Sequence, residues 1–75
     1  MSADTTEAPP VADIAELIGG MVTADNQIIA NDGALIYCNP WGVVKLQRFG
    51  FPVIALGSWH DVAGVVEAYR VAVTA

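Results

Sequence analysis

The sequence predicts an α+β fold, in which a small antiparallel β-meander of three to four strands carries a C-terminal amphipathic helix and follows a short N-terminal helix. Three observations lead to this prediction. Apolar residues recur at helical spacing near both ends of the 75-residue chain. Short runs of strand-forming residues lie between these ends, and turn sequences separate the runs. The order helix, strands, helix is typical of a two-layer sandwich.

The N-terminal part of the chain divides into a tail and a helix. Residues 1–9 are small and polar with no apolar period, which predicts a disordered acidic tail. Residues 10–75 are then predicted to form a single small α+β domain. Pro10 suits the first position of a helix, and the pair Gly19-Gly20 suits its end. The apolar stripe of this helix has spacings of three and four: Val11, Ile14, Leu17, Ile18 and Met21.

The middle of the chain predicts strands joined by tight turns. In QIIANDGALIYCN, residues 27–39, the NDG sequence separates two apolar runs and favours a hairpin, because Asn, Asp and Gly tolerate positive φ. In YCNPWG, residues 37–42, the Asn-Pro step predicts a corner after a strand. Residues 39–50 also fit a helix with Asn39 as its N-cap, Pro40 at its first position and Gly50 at its end. We favour a strand there, because consecutive valines precede an alternation of apolar and polar residues. Phe49-Gly50 then turns the chain into a last apolar strand.

The C-terminal segment carries the strongest helical period. A helix is predicted from about residue 59 to 73, with Ser58 as its N-terminal cap. The helix should cover the sheet with one apolar face. That face consists of Trp59, Val62, Val65, Val66, Tyr69 and Val73.

Composition limits the environment and indicates partners. Hydrophobic residues make up 55% of the chain, against about 45–50% in ordinary domains even with glycine counted. A domain of this size buries only about 60% of its chain surface. The surplus of hydrophobic residues indicates that self-association or a protein partner covers part of the surface. The alternative explanation is a core rich in alanine and valine. The longest charge-free stretches, residues 33–44 and 49–60, are too short to span a membrane, which takes about 20 residues.

The N-terminus lacks the positive charge of a signal peptide, and one cysteine cannot form an internal disulfide. We therefore expect the protein in the cytoplasm, or in a virus particle assembled there.

The charge of the chain is negative and unevenly distributed. The formal net charge is −5. Residues 1–32 hold six acidic residues and no Lys or Arg, whereas residues 33–75 hold all three cations. An acidic chain repels phosphate backbones, so direct nucleic-acid binding is not expected. The acidic half would suit a basic surface on a partner, or would serve only to keep an apolar chain soluble.

Residues equipped for chemistry are few. Cys38 and His60 are the single cysteine and histidine, and no second thiol or known nucleophile motif accompanies them. A lone cysteine on a strand is more often a small buried side chain. The donor set does not complete a zinc site, and DNQIIANDG lacks the spacing of a calcium loop. No metal or cofactor is therefore expected, and we predict that the protein is not an enzyme.

The sequence is best interpreted as a non-enzymatic protein-interaction module, such as a small acidic adaptor, inhibitor or assembly subunit, including one of viral origin. One alternative is a structural subunit of a larger assembly. Another is a small ligand-binding or thiol-dependent enzyme domain that uses Cys38 and His60. Trp41 at the predicted corner is either a lid on the sheet or a contact residue. The candidate partner-binding residues are Tyr37, Trp41, Lys45, Arg48, Phe49 and Trp59.

The apolar surplus predicts self-association. At tens of micromolar, light scattering after size exclusion should return a mass above the 7.9 kDa of one chain, because a domain this small leaves apolar surface exposed. A monomer mass under these conditions would contradict the prediction.

Overall fold

The chain forms an antiparallel sheet with both helices packed on it. A computed structural model describes residues 10–74, and the tail predicted for residues 1–9 lies outside them. The strands pair antiparallel in chain order, which confirms the predicted α+β meander, although the sheet has five strands rather than three to four. The elements are α1 (Val11–Ile18), β1 (Met21–Val22), β2 (Ile28–Ile29), β3 (Leu35–Cys38), β4 (Val44–Gln47), β5 (Ile54–Gly57) and α2 (Val62–Thr74).

The additional strand is β1, and it arises from the way that α1 ends. Gly19 has φ of +77°, in the left-handed region. The N–H groups of Gly20 and Gly19 donate to the carbonyls of Ala15 and Glu16, at N···O distances of 2.7 and 3.4 Å. This is a Schellman motif, which closes the helix. The prediction that Met21 continues the helical stripe is therefore wrong: the chain reverses at the glycines, and Met21 pairs with Ile29.

Side-chain hydrogen bonds fix two of the turns that the sequence predicts. Asp32 Oδ1 accepts from the Ala34 N–H in the β2–β3 hairpin. Asn39 Oδ1 accepts from the N–H groups of Trp41 and Val43, at 3.0 and 2.9 Å. These are Asx turns, in which a short polar side chain replaces a backbone acceptor. The predicted hairpin and corner are confirmed, and so is a strand rather than a helix within residues 39–50.

The start of α2 differs from the prediction by three residues. Asp61 caps the helix, because its Oδ1 accepts from the Gly64 N–H at 3.1 Å. Ser58, the predicted cap, instead forms the preceding turn, in which its carbonyl accepts from the Asp61 N–H. That turn directs Trp59 into the core before the helix begins, so Trp59 is only 7% exposed.

The core lies on one face of the sheet. The register aligns Val22, Ile28, Ile36, Leu46 and Ile54 in one row across the five strands. The three central members of this row are fully buried, and the two edge members are partly exposed. Both helices contribute to the same cluster: Val11, Ile14 and Ala15 from α1, and Val65, Val66 and Tyr69 from α2. The helices and one sheet face therefore form a single two-layer core.

Replacing Val66 with Asp should unfold the protein or make it insoluble. Val66 is a buried core residue of α2, and an unpaired buried charge costs several kcal/mol, whereas a domain of this size holds only about 3–5 kcal/mol in total. Circular dichroism melting should test this. Glu67→Gln is the control, because the neighbouring Glu67 is exposed and its loss should be mild. A Val66→Asp variant with a normal melt would show that this face of α2 is not core.

Candidate protein-interaction surface

The second face of the sheet has no helix against it within residues 10–74. Cross-strand partners point to the same side of a sheet, so the register defines this face directly. One row contains Met21, Ile29, Leu35 and Gln47, and a second row contains Tyr37, Lys45 and Ala55. We call these seven residues the open face.

The open face is more apolar than an ordinary exposed sheet surface. Antiparallel sheets that face water on one side usually alternate apolar and polar residues. Here Met21 is 70% and Ile29 45% exposed, and Leu35 and Tyr37 are half-buried. Ala55 adds a further apolar side chain on β5, beyond Lys45. The polar side chains of the open face are Gln47 and Lys45.

The charge of the open face differs from that of the whole chain. The chain has eight acidic residues, and none of them lies on the open face. Its one charged residue, Lys45, is the cross-strand partner of Tyr37 on one side and of Ala55 on the other. A lysine in this position can lay its aliphatic stem along the apolar neighbours and keep its ammonium in water. The open face therefore presents apolar area around one positive charge.

The turns at the two ends of the sheet carry the most exposed aromatics. Trp41, in the β3–β4 turn, is 83% exposed, and Phe49, in the β4–β5 turn, is fully exposed. The alternative that Trp41 is a lid on the sheet is wrong, because the Asx turn at Asn39 directs the corner into solvent. Successive hairpins turn at opposite ends of a meander, so Trp41 and Phe49 do not share one surface.

Trp59 and Arg48, both candidate contact residues, are engaged within the fold. Trp59 belongs to the buried core and is not available to a partner. Arg48 Nη1 donates to the Ala72 carbonyl near the end of α2 at 2.9 Å. The Arg48 guanidinium also lies over the Phe51 ring, 4.0 Å from its centroid. Of the six candidate residues, the structure brings together Tyr37 and Lys45 on the open face.

A second arginine makes a similar contact at the other helix. Arg70 Nη2 donates to the Leu17 carbonyl, in the last turn of α1, at 3.3 Å. The last carbonyls of a helix lack intrahelical donors and carry partial negative charge, so a guanidinium there satisfies both needs. Two of the three cations of the chain thus contact helix C-terminal ends.

Tyr69 lies where these elements meet. Burial raises the pKa of the Tyr69 phenol, the Asp32 carboxylate raises it further, and the Arg48 guanidinium opposes them. Asp32 is in the β2–β3 turn and Arg48 follows β4, so both act on the same end of α2. The phenol therefore stays neutral at physiological pH and contributes to packing rather than charge.

The pair proposed for thiol chemistry is not supported by the register. Cys38 pairs with Val44, and Val44 pairs with Gly57, so β4 separates Cys38 from the segment that leads to His60. Two strand spacings amount to about 10 Å, beyond hydrogen-bond reach. Cys38 is exposed at its strand end, and its thiol lies 3.5 Å from the carbonyl of Asn39. Residues 10–74 contain no cluster of metal-ligating side chains and no helix long and apolar enough to cross a bilayer.

Sequence reasoning missed most of the open face. Met21, Ile29, Leu35 and Ala55 were not among the candidate contact residues. The signal that could have found them is the pairing register, because Tyr37 and Lys45 fix which residues of the neighbouring strands share their side. Comparisons of this chain with protein-family models, curated proteins and solved structures gave no match.

Replacing Arg48 with Met should lower the free energy of unfolding by about 1–2 kcal/mol, because it removes a charged hydrogen bond and a cation–π contact, both partly exposed. Chemical denaturation should measure the change. Lys45→Met is the matched control and should change stability by no more than about 0.5 kcal/mol. Equal effects of the two substitutions would show that the Arg48 contacts do not stabilise the fold.

Proposed function

We propose that this protein is a non-enzymatic protein-interaction module, and that the open face is its contact surface. The observation that carries the proposal is the arrangement of the core. Both helices pack on one side of the sheet, and the other side presents seven register-aligned residues, with apolar side chains on four of the five strands and the two polar ones on β4. Exposed apolar side chains gathered on one face and bordered by polar ones usually mark a site of association.

The charge of the open face supports a protein partner. Phosphate backbones are bound by clusters of cations, and this face offers Lys45 alone. Aliphatic and aromatic side chains around one exposed ammonium instead suit a protein surface that is apolar at its centre and carries an acidic group. The single cysteine is consistent with action in the cytoplasm, or in a virus particle assembled there. An adaptor, an inhibitor and a subunit of a larger assembly would all use such a surface.

The proposal can be tested with one substitution on each layer of the fold. Ile29→Lys places a charge on the open face at an exposed position, where it should not unfold the protein. Val71→Lys is the matched control, because Val71 is a comparably exposed apolar residue on α2, in the helical layer. The three proteins would be immobilised and exposed to lysate of the source cells, and captured proteins would be quantified by mass spectrometry.

We expect the wild type and Val71→Lys to capture the same partner and Ile29→Lys to lose it at least about tenfold, because a desolvated lysine opposes an apolar contact. Circular dichroism should show that both variants are folded. Retention of the partner by Ile29→Lys, or its loss by Val71→Lys alone, would contradict the proposed surface.

A further inference from the structure

The β5 strand is an exposed sheet edge. Its strand neighbour is β4, so one side of its backbone has no strand partner among the described residues. The opposite edge, β1, is only two residues long, whereas β5 has four. Four residues extend about 13 Å, and they present a row of N–H and C=O groups that another extended chain can pair with.

β5 has some of the devices that protect natural sheet edges and lacks the commonest one. Charged side chains, especially lysine, are the common protection. No charged residue occurs from Phe49 to Trp59. Pro52 lies before the strand, and a register irregularity opposite Val44 and Lys45 disturbs its C-terminal half. These features limit the accessible edge to a few residues around Ile54 and Ala55, but they do not cover it.

A cavity of about 160 Å³ opens beside this edge. It lies between β5 and α2, because Ile54 of the strand and Ala72 of the helix form two of its walls. Leu46, Phe51 and Pro52 complete the apolar lining, and Arg48 borders it. The Arg48 guanidinium is already bonded to the Ala72 carbonyl. A largely apolar cavity of about 150 Å³ accepts a ring the size of benzene, so this one can hold an aliphatic or phenyl side chain.

We infer that β5 binds an extended, uncharged segment of a partner protein by strand addition, and that one aliphatic or aromatic side chain of that segment fills the cavity between Ile54 and Ala72. Main-chain hydrogen bonds along the edge would supply affinity, and the cavity would select the side chain that points toward α2. The apolar lining of the cavity determines the chemistry of the occupant, because a charged side chain would lose its hydration there, and the bordering cation, Arg48, is already bonded to the Ala72 carbonyl. This inference rests on the proposed function and names its partner class.

A second copy of the chain fits this edge less well than a single extended segment. Adjacent strands lie about 4.8 Å apart, whereas packed helices need about 8–10 Å between axes. α2 packs against β5, so a second β5 on the same edge would bring its own α2 into the space at the mouth of the cavity. An extended segment has no helix to place there.

A short synthetic peptide provides the test. The probe is acetyl-Thr-Val-Thr-Leu-Thr-Val-Thr-amide, which is uncharged, favours an extended backbone and carries one leucine for the cavity. Titration into isotope-labelled protein, followed by amide NMR, should give saturable shifts at residues 53–57 and at Ala72 up to about millimolar peptide, the range of a small interface. The absence of saturable shifts at β5 would overturn the inference.

Two control peptides separate the backbone from the side chain. A peptide that is N-methylated at every residue has no main-chain N–H group on either edge, so it cannot form the ladder and should lose binding. In the second control peptide, the leucine of the unmethylated probe is replaced with glycine. This change should weaken binding at least about tenfold, because the buried side chain is lost. Undiminished binding of either control peptide would contradict strand addition with an anchored side chain.

Two protein variants locate the cavity. Ala72→Leu should fill it and weaken the peptide at least about tenfold, whereas Ala63→Leu, the same change at an exposed position of α2, should leave affinity within about twofold. If Ala72→Leu disturbs the fold, the comparison of the probe with the N-methylated peptide on the wild-type protein still tests the inference. Equal affinities of the two folded variants would place the peptide elsewhere.

The open-face variant distinguishes this inference from the proposed function. Ile29→Lys should bind the peptide as the wild type does, because Ile29 lies on β2, away from the edge. If β5 fails to bind the peptide while partner capture still depends on Ile29, only the strand-addition inference is wrong. If the peptide binds and capture is independent of Ile29, the open face is wrong as the contact surface and strand addition stands.

Discussion

The structure depends on one constraint: a sheet has two faces, and the described chain has enough helix to cover one. α1 has eight residues and α2 has thirteen, and both contribute to the same core. The row from Val22 to Ile54 is buried at its centre for this reason, and the row from Met21 to Gln47 is not. The architecture thus accounts for much of the high hydrophobic fraction of the sequence, because apolar side chains lie on the uncovered face of the sheet as well as in the core.

Two of the three cations of the chain link α2 to the sheet and to α1 through hydrogen bonds to helix carbonyls. Arg48 joins the β4–β5 turn to the end of α2, and Arg70 joins α2 to the end of α1. Both contacts link elements far apart in sequence, and both place positive charge where helix carbonyls are unpaired. Because both arginines bind helix carbonyls, Lys45 is the cation that lies on the open face. A chain with eight acids therefore presents an apolar face with one positive charge.

Features determined by neighbouring residues could be predicted from the sequence, and features determined by pairing could not. The NDG hairpin, the NPWG corner and the stripe of α2 each depend on local chemistry, and each is confirmed. β1 was missed because two residues carry no period, and Met21 happens to fit the helical stripe that Gly19 ends. The helical spacing of the sequence places Trp59 on α2, and its aromatic ring makes it a candidate contact residue, yet the turn at Ser58 buries it. The residues of the open face are determined by the pairing register. The turns fix that register only when the bounds of all five strands are known.

The exposed apolar residues differ in how well the fold holds them, and this difference favours the sheet over the turn tips as a binding surface. Trp41 and Phe49 have large rings, but they project from turns at opposite ends of the sheet. Binding through either ring alone would immobilise a turn for a small contact. The open-face residues are held on strands by the backbone ladder, so the partner that we propose would gain their area with little ordering cost. The β5 edge is likewise fixed by its pairing with β4, and its backbone groups would add directional bonds that the turn aromatics cannot supply.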